Sequence, residues 1–248
     1  MVRGEREIIE AAGLIANARH LIAFTGAGIS VESGIPPFRG EGGIWSRYDP
    51  ATLDIDHFLE NPAEAWEVIS RIFYEFFLDA KPNPAHYLLA KMERKGILSA
   101  VITQNIDDMH REAGSNEVIE YHGNSRWLIC SHCGERYKVS DISLHPLPPR
   151  CAADHNILKP DFVFFGEGIP PEAASRSVQE ASMCDVMLII GTTGEVMPAG
   201  MIPSIAKSNH AKIIEINPER SAFTRSLTDV FLQGCAGEVS RQLDSYLF

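Results

Sequence analysis

Three cysteines of the chain stand at the spacing of a zinc ribbon. Cys130 and Cys133 form a CxxC pair, and Cys151 follows after 17 intervening residues. Thiolates at this spacing commonly complete a tetrahedral zinc site with a fourth ligand. A second CxxC pair would place that ligand at position 154, which holds Asp154 with His155 beside it. Either side chain can bind zinc, so the sequence predicts a zinc site with Asp154 at the fourth ligand position and His155 as the alternative. We expect zinc to bind there more weakly than to four cysteines.

A glycine loop lies directly after the first predicted strand, Leu21–Thr25. Gly26 and Gly28 form a GxG turn there. In open parallel sheets, loops at the carboxyl ends of strands bind dinucleotides, and the glycines permit a tight turn and a close approach to the pyrophosphate. The third glycine of the usual fingerprint is absent, because Val31 stands in its place. The loop alone therefore fits either a nucleotide site or a structural turn.

Polar residues also follow a later predicted strand, Ala100–Thr103. Asn105 and Asp107 stand two residues apart, so their side chains can face one cleft. Asp107 equally suits the beginning of a helix, where a carboxylate is favourable. Both interpretations of Asp107 are compatible with the sequence.

The elements that would position these residues alternate along the chain. Short apolar runs predict strands at Leu21–Thr25, Ala100–Thr103, Val118–Tyr121, Phe162–Phe165, Val186–Ile190 and Ile213–Ile216. Helical patterns lie at Glu5–Asn17, Pro84–Lys95, Asp107–Ala113, Pro171–Ala181, Pro198–Lys207 and Gly237–Leu247. This alternation predicts an α/β fold, a Rossmann-like parallel sheet with helices on both faces.

Two insertions interrupt the alternation and predict a smaller domain beside the sheet. The first carries a helical pattern over Pro62–Leu78, whose apolar stripe includes Trp66, Phe73, Phe76 and Phe77 and favours core packing over a ligand groove. The second holds the three cysteines. The predicted Rossmann-like domain comprises residues 1–33, 84–122 and 161–248, and the small domain a helical insertion (34–83) and a zinc-ribbon-like insertion (123–160).

Composition limits the expected partners and compartment. The chain has 33 acidic and 22 basic residues, a formal net charge of −11. We expect no direct binding to nucleic acid, which needs a basic face, whereas a lysine-rich segment would be attracted. The N-terminus lacks an apolar signal core, and the run Val186–Ile190 is too short to span a bilayer. The odd number of cysteines and the CxxC pair predict an intracellular, cytoplasmic protein. We also expect a monomer that does not contact a membrane.

Several motifs together resemble those of the sirtuin family. The run GAGISVESGIPPFRG, from Gly26 to Gly40, resembles the family's first signature, and TQNID, ending at Asp107, resembles its second. His122 lies in YHG, where the family has its catalytic histidine. Three further motifs follow in the family's order, FFGE at Phe164–Glu167, GTT at Gly191–Thr193 and IN at Ile216–Asn217. The resemblance covers nearly the whole chain.

The resemblance implies an NAD-dependent protein-lysine deacylase, in the first place a deacetylase. NAD would be consumed as a co-substrate: nicotinamide leaves, the acetyl oxygen of acetyl-lysine attacks the ribose, and the acetyl group ends on ADP-ribose. His122 would be the base for a ribose hydroxyl, a role that suits a neutral imidazole near pH 7. Asn105 would position the ribose and a water, and Asp107 would bind the nicotinamide carboxamide with Ile35. The zinc would be structural, and the expected partner is an acetylated protein or peptide.

The resemblance also assigns residues around these catalytic groups. Phe38 would cover the nicotinamide site, Arg39 would contact a phosphate or ribose, and Ser30 would donate its hydroxyl to a phosphate. The predicted NAD-binding residues are Gly26, Ala27, Gly28, Ser30, Ile35, Phe38, Arg39, Gln104, Asn105, Asp107, Gly191, Thr192, Thr193, Asn217, Pro218 and Ala236. The predicted substrate-binding residues are Val163, Phe165, Gly166, Glu195 and Val196. Val163 and Phe165 would line an apolar tunnel for the uncharged acyl-lysine, unless they are simply core residues.

Related activities are also compatible with the sequence. A subgroup that removes acidic acyl groups carries Tyr and Arg three residues apart on the small-domain helix, where this chain has Ile69 and Ile72. Arg71 and Tyr74 are near but in reverse order, which weighs against acidic acyl groups. A preference for longer acyl groups, ADP-ribosyl transfer to protein, and a silent NAD- or acyl-lysine-binding module stay open. Glu195, where the family more often has an aliphatic residue, could favour basic residues beside the acyl-lysine.

Overall fold

The computed structural model describes residues 4–40, 42–75 and 80–248. Its main sheet contains six parallel strands in the order β3-β2-β1-β7-β8-β9. These strands are β1 (Leu21–Thr25), β2 (Leu98–Thr103), β3 (Val118–Glu120), β7 (Val186–Ile190), β8 (Lys212–Asn217) and β9 (Val230–Gln233). The helices are α1 (Glu5–Ala16), α2 (Ile55–Glu60), α3 (Pro62–Ile69), α4 (Pro84–Arg94), α5 (Met109–Glu112), α6 (Pro171–Met183), α7 (Ile202–Ser208) and α8 (Ala236–Leu247).

Helices cover both faces of this sheet. Strands β1 and β7 are buried at every residue, because each is an aliphatic run with packing on two sides. Apolar residues of α1, α4 and α8 form the core on one face, and residues of α6 and α7 form the core on the other. The predicted Rossmann-like fold class is confirmed.

A second, three-stranded antiparallel sheet lies in the cysteine-containing part of the chain. It has the order β5-β4-β6, formed by β4 (Gly123–Cys130), β5 (Arg136–Lys138) and β6 (Leu158–Phe162). Trp66 of α3 is fully buried against it and donates its indole N–H to the carbonyl of Leu158 at 2.8 Å. The aromatic stripe is thus core here, although Phe76 and Phe77 lie outside the described residues. The division into two domains stays a prediction. Strand β6, Leu158–Phe162, crosses the predicted boundary between residues 160 and 161.

Some predicted elements were wrong. The strand predicted at Phe162–Phe165 ends at Phe162 and belongs to the small sheet. The following apolar residues find partners in a loop, since Phe165 N–H donates to the Leu53 carbonyl at 2.9 Å. The helix predicted from Pro62 ends at Ile69 and continues as a π-helical turn, Ser70–Glu75. Strand β9 was missed because its four residues carry only a short apolar signal.

None of the helices within the described ranges combines the length and apolar character needed to cross a bilayer.

Candidate active site

A cavity of ≈ 820 Å³ opens at the carboxyl edge of the main sheet. The loops that follow β1, β2, β7, β8 and β9 all line it, as does His122 just beyond β3. The chain places β2 and β3 on one side of β1 and places β7, β8 and β9 on the other. Ligands of open α/β sheets bind at such a reversal of strand order, so the cavity stands where the fold favours a nucleotide.

The structure brings nearly all predicted site residues to this cavity. The residues that line it are Gly26, Ala27, Gly28, Phe38, Arg39, Gln104, Asn105, His122, Val163, Phe165, Gly166, Gly191, Thr192, Thr193, Glu195, Val196, Asn217, Pro218 and Ala236. Ser30, Ile35 and Asp107 do not line it. Ser30 is fully buried and Ile35 is 5% exposed, so both lie beneath the cavity wall.

The glycines of the first loop are required for packing against the loop after β7. Gly28 N–H donates to the Gly191 carbonyl at 2.8 Å, and a Cβ on Gly28 would lie 2.7 Å from the Gly191 Cα. A Cβ on Gly26 would lie 2.8 Å from the Thr192 Cβ. Gly26 itself is extended, with a φ of −131°, and the tight turn expected there closes when the Ile29 N–H donates to the Gly26 carbonyl at 3.1 Å. The glycines thus bring two cavity-lining loops into backbone contact.

His122 is held in one tautomer by the backbone. Its Nδ1 lies 2.9 Å from the Gln104 carbonyl oxygen, which can only accept, so Nδ1 carries the proton. Nε2 is then the unprotonated nitrogen. The carbonyl of His122 accepts the N–H of Val163 at 2.9 Å. Burial lowers the pKa of His122 below its usual value, and the Gln104 hydrogen bond opposes this in part. The ring is therefore arranged as a neutral base.

The lowered pKa of His122 predicts the pH dependence of turnover. If His122 acts as a base, activity is lost when the ring is protonated, as the pH falls through its folded-state pKa. Because that pKa lies below the ordinary value of 6.5, the acid limb of kcat/KM should fall below pH 6.5. A profile of kcat/KM from about pH 5 to pH 8 measures this. An acid limb centred at or above pH 6.5 would contradict the assignment.

Asn105, Ser30 and Asp107 form a hydrogen-bonded cluster at the cavity floor, where only Asn105 lines the cavity. Ser30 Oγ donates to Asp107 Oδ2 at 2.6 Å, and Asn105 Nδ2 lies 3.2 Å from each of these oxygens. Asp107 Oδ1 accepts the N–H of Met109, the first residue of α5, at 3.0 Å. Burial raises the pKa of Asp107, and the hydrogen bond from Ser30 opposes the shift.

This cluster bears on two of the predicted roles. The Ser30 hydroxyl is buried and donates to Asp107, and its contact with a phosphate stays a prediction. Asp107 does lie at the beginning of a helix, as one of its two interpretations held, and its contact with a carboxamide stays a proposal. Asn105 lines the cavity with its amide nitrogen directed toward Ser30 and Asp107, which leaves its side-chain oxygen for a ligand.

Known proteins share both the sequence and the arrangement of this site. Residues 26–198 match the model of the Sir2 family. An NAD-dependent protein deacylase 2 of Pyrobaculum aerophilum is 46% identical over 233 residues, which are 94% of this chain and 92% of the relative. This chain belongs to the Sir2 family, the sirtuins.

Solved structures of the Sir2 family superpose closely on this chain. A mutant Sir2 homologue in complex with ADP-ribose matches with a TM-score of 0.91 and 38% identity, over 96% of this chain and 95% of that one. A mutant Sir2 with a deacetylated p53 peptide and 3′-O-acetyl-ADP-ribose matches with a TM-score of 0.90 and 36% identity, over 95% and 96%. The large cavity in the same fold supports NAD as the co-substrate of this sirtuin.

Apolar side chains line the part of the cavity where the acyl group was predicted to bind in this sirtuin. Phe73 lines it, although its place in the helical stripe had suggested core packing alone. Ile69 and Ile72 are buried, Arg71 is exposed, and the Tyr74 hydroxyl donates to the Ser125 carbonyl at 3.0 Å. No Tyr-Arg pair reaches the cavity among the residues that the structure describes. The case against acidic acyl groups is therefore strengthened.

Sequence reasoning missed other residues of the cavity wall. They are Val31, Glu32, Pro37, Gly40, Trp45, Leu53, Phe73, Ile106, Phe162, Phe164, Glu167, Ile169, Met197, Pro198, Glu219, Arg220, Ser221 and Cys235. Many adjoin a recognised motif, as Glu219 and Arg220 adjoin Asn217 and Pro218. Trp45 and Leu53 do not adjoin a recognised motif. They reach the cavity only because the first insertion folds back to it.

The predicted metal ligands of this sirtuin converge. Ligand atoms of Cys130, Cys133, Cys151 and Asp154 all lie within 4.8 Å of one another. The Sγ atoms of Cys133 and Cys151 are 3.6 Å apart, and Cys130 Sγ is 3.5 Å from both oxygens of Asp154. A zinc–sulfur bond of about 2.3 Å implies edges of roughly 3.8 Å between ligands of a tetrahedron. The four side chains therefore fit a zinc ion.

Two neighbouring residues contact the carboxylate of Asp154, the predicted fourth ligand. The backbone N–H of Asn156 donates to Asp154 Oδ1 at 3.0 Å and helps to hold the pKa of this carboxyl well below its usual range. His132 Nδ1 lies 2.9 Å from Asp154 Oδ2. Such a partner orients a metal-binding carboxylate. His155, the other candidate, is not part of this cluster, and its backbone N–H donates to the Cys151 carbonyl at 3.0 Å.

Proposed function

We propose that this sirtuin removes acetyl groups from lysine side chains of proteins. Acetyl-lysine, NAD and water would give lysine, nicotinamide and O-acetyl-ADP-ribose. The observation that carries the proposal is His122, whose Nδ1 proton is bound by the Gln104 carbonyl while the ring lines a nucleotide-sized cavity. The name of the Pyrobaculum relative and the acetyl-ADP-ribose bound in a similar structure support it.

One side of the cavity would bind NAD and the other would bind the acyl-lysine. On the nucleotide side, the loops at Gly26–Gly28 and Gly191–Thr193 would hold the pyrophosphate, and Asn217 would contact the adenosine ribose. Asn105 would orient the nicotinamide ribose through its side-chain oxygen. His122 Nε2 would take the proton of a ribose hydroxyl and so activate that oxygen toward the acyl carbon.

On the other side, Val163 and Phe165 would enclose the acyl-lysine stem. Phe165 is 44% exposed, which is unusual for a large aromatic residue and fits a binding surface. Acetylation removes the lysine charge, so entry into this apolar wall carries little desolvation cost. Glu195 and Val196, across the cavity, would flank the substrate backbone.

An assay of nicotinamide release from NAD tests the proposal. With an acetylated peptide we expect nicotinamide, deacetylated peptide and O-acetyl-ADP-ribose in equal amounts, each identified by mass spectrometry. The unacetylated peptide is the matched control and should release little nicotinamide. ADP-ribose attached to the peptide would show a transferase, and binding of both ligands without release would show a silent module; either result would replace the proposal.

A further inference from the structure

A lysine is buried near the start of β6, beside the proposed acyl-lysine wall of the cavity. Lys159 Nζ donates to the carbonyl of Phe162 at 2.7 Å and to that of Pro160 at 3.0 Å. It lies 3.0 Å from Glu167 Oε2 and 4.2 Å from the centre of the Phe164 ring. Burying an ammonium group is costly unless it is paired and hydrogen-bonded. Burial lowers the pKa of Lys159, and the charge of Glu167 opposes this shift.

The ion pair closes the chain between its two members into a short loop. Glu167 Oε2 also accepts the N–H of Phe164 at 2.8 Å, and Glu167 N–H donates to the Phe164 carbonyl at 3.0 Å. Lys159 joins the same carboxylate to the end of β6 through the Phe162 carbonyl. Residues 163–166 are thus tied at both ends by one pair of charges.

This loop is also the part of the wall that would touch the substrate. Val163, Phe165 and Gly166 line the cavity. The N–H of Val163 bonds the carbonyl of His122, so any shift of the loop is transmitted to the histidine. Gly166 has a φ of +87°, a conformation that side chains rarely adopt, and the loop therefore has a specific shape to preserve.

We infer that Lys159 and Glu167 are positioning residues for the acyl-lysine: their ion pair holds the 163–166 loop in the register that presents the substrate to His122. The inference rests on the proposed deacetylation. A shift of a substrate by about 1 Å can lower turnover by as much as about 10²-fold. Loss of the pair should therefore affect the peptide far more than NAD.

Two conservative substitutions separate this role from general stability. Glu167→Gln keeps the size and an acceptor oxygen for the Phe164 N–H but removes the charge. Lys159→Met keeps the length of the side chain without an ammonium group. The double variant leaves no unpaired buried charge and is the one to use if a single variant does not fold. Lys207→Met is the matched control, because Lys207 pairs with Asp229 at 2.6 Å near the opposite edge of the sheet.

Steady-state kinetics, NAD binding by calorimetry and thermal melting are measured for each variant. We expect kcat/KM for the acetylated peptide to fall about 10- to 100-fold in both single variants, with NAD affinity unchanged. The double variant should lose less than the product of the two single losses, and Lys207→Met should match wild type. A peptide kcat/KM that stays at the wild-type value in folded variants would overturn the inference. So would parallel losses of peptide and NAD binding. Inactive wild type would instead refute the proposed function itself.

Discussion

His122→Ala should lower kcat/KM for the acetylated peptide by about 10²- to 10⁴-fold, the usual cost of losing a general base. The Nε2 atom is the unprotonated nitrogen of this ring, since Nδ1 donates to the Gln104 carbonyl. Alanine removes the acceptor for the ribose hydroxyl proton and leaves the nucleotide loops unchanged. Binding of NAD should therefore remain within a few-fold of wild type, as measured by calorimetry.

The control for this substitution is another histidine. His210 is exposed, has a φ of +68° and precedes β8 at the amino edge of the sheet, opposite the cavity. His210→Asn, which tolerates that backbone conformation, should leave kcat/KM unchanged. If His122→Ala kept wild-type turnover with a normal melting curve, the base would have to be a different group.

Much of the site could be predicted because the fold gathers it from short motifs. Each motif follows a buried aliphatic strand, and parallel strands end at one edge, so Gly26, Asn105, Thr192 and Asn217 had to meet there. The strands themselves are readable from sequence because both of their faces are buried. Contacts between distant parts of the sequence were not needed to predict this side of the site, at the carboxyl edge of the main sheet.

The opposite wall could not be predicted in the same way. The run Val163–Phe165 is apolar and resembles a strand, yet Phe165 is exposed and pairs with Leu53, more than a hundred residues earlier. The partners of Lys159 could not be predicted from the sequence either, because a lone lysine is normally a surface residue. Only the fold shows that its ammonium group is enclosed by Phe162, Phe164 and Glu167.

The hydrogen bond between Ser30 and Asp107 could not be predicted for a related reason. A hydroxyl in a glycine loop is a reasonable phosphate ligand on chemical grounds. Asp107, however, is a half-buried carboxylate that needs donors, and Ser30 supplies one at 2.6 Å. Motif position placed both residues near the nucleotide. It did not show that they would bond to each other beneath Asn105 and hold its side-chain amide.

Substitution of the fourth metal ligand should have the largest effect on stability. We expect the protein purified without added zinc to contain zinc, bound by three thiolates and Asp154, whose ligand atoms lie within 4.8 Å of one another. Structural zinc in small domains contributes on the order of 10 kcal/mol of binding free energy, so its loss should unfold the small sheet. Asp154→Ala should remove the metal and lower the melting temperature. Cys184→Ala is the matched control, since this cysteine is buried against the main sheet and away from the cluster.

Asp154→Cys tests whether the carboxylate makes the site weak. A thiolate is the softer ligand and would replace an oxygen that His132 must orient at 2.9 Å. The cysteine variant should therefore keep its zinc at chelator concentrations that strip the wild type, and should melt at a higher temperature in their presence. Metal content and chelator-dependent melting curves measure both. If the wild type instead keeps its zinc at the same chelator concentrations as the Asp154→Cys variant, that result would show that the carboxylate does not weaken zinc binding. Wild type without zinc, but folded and active, would show that packing around Trp66, Leu128 and Leu158 suffices to hold the small sheet.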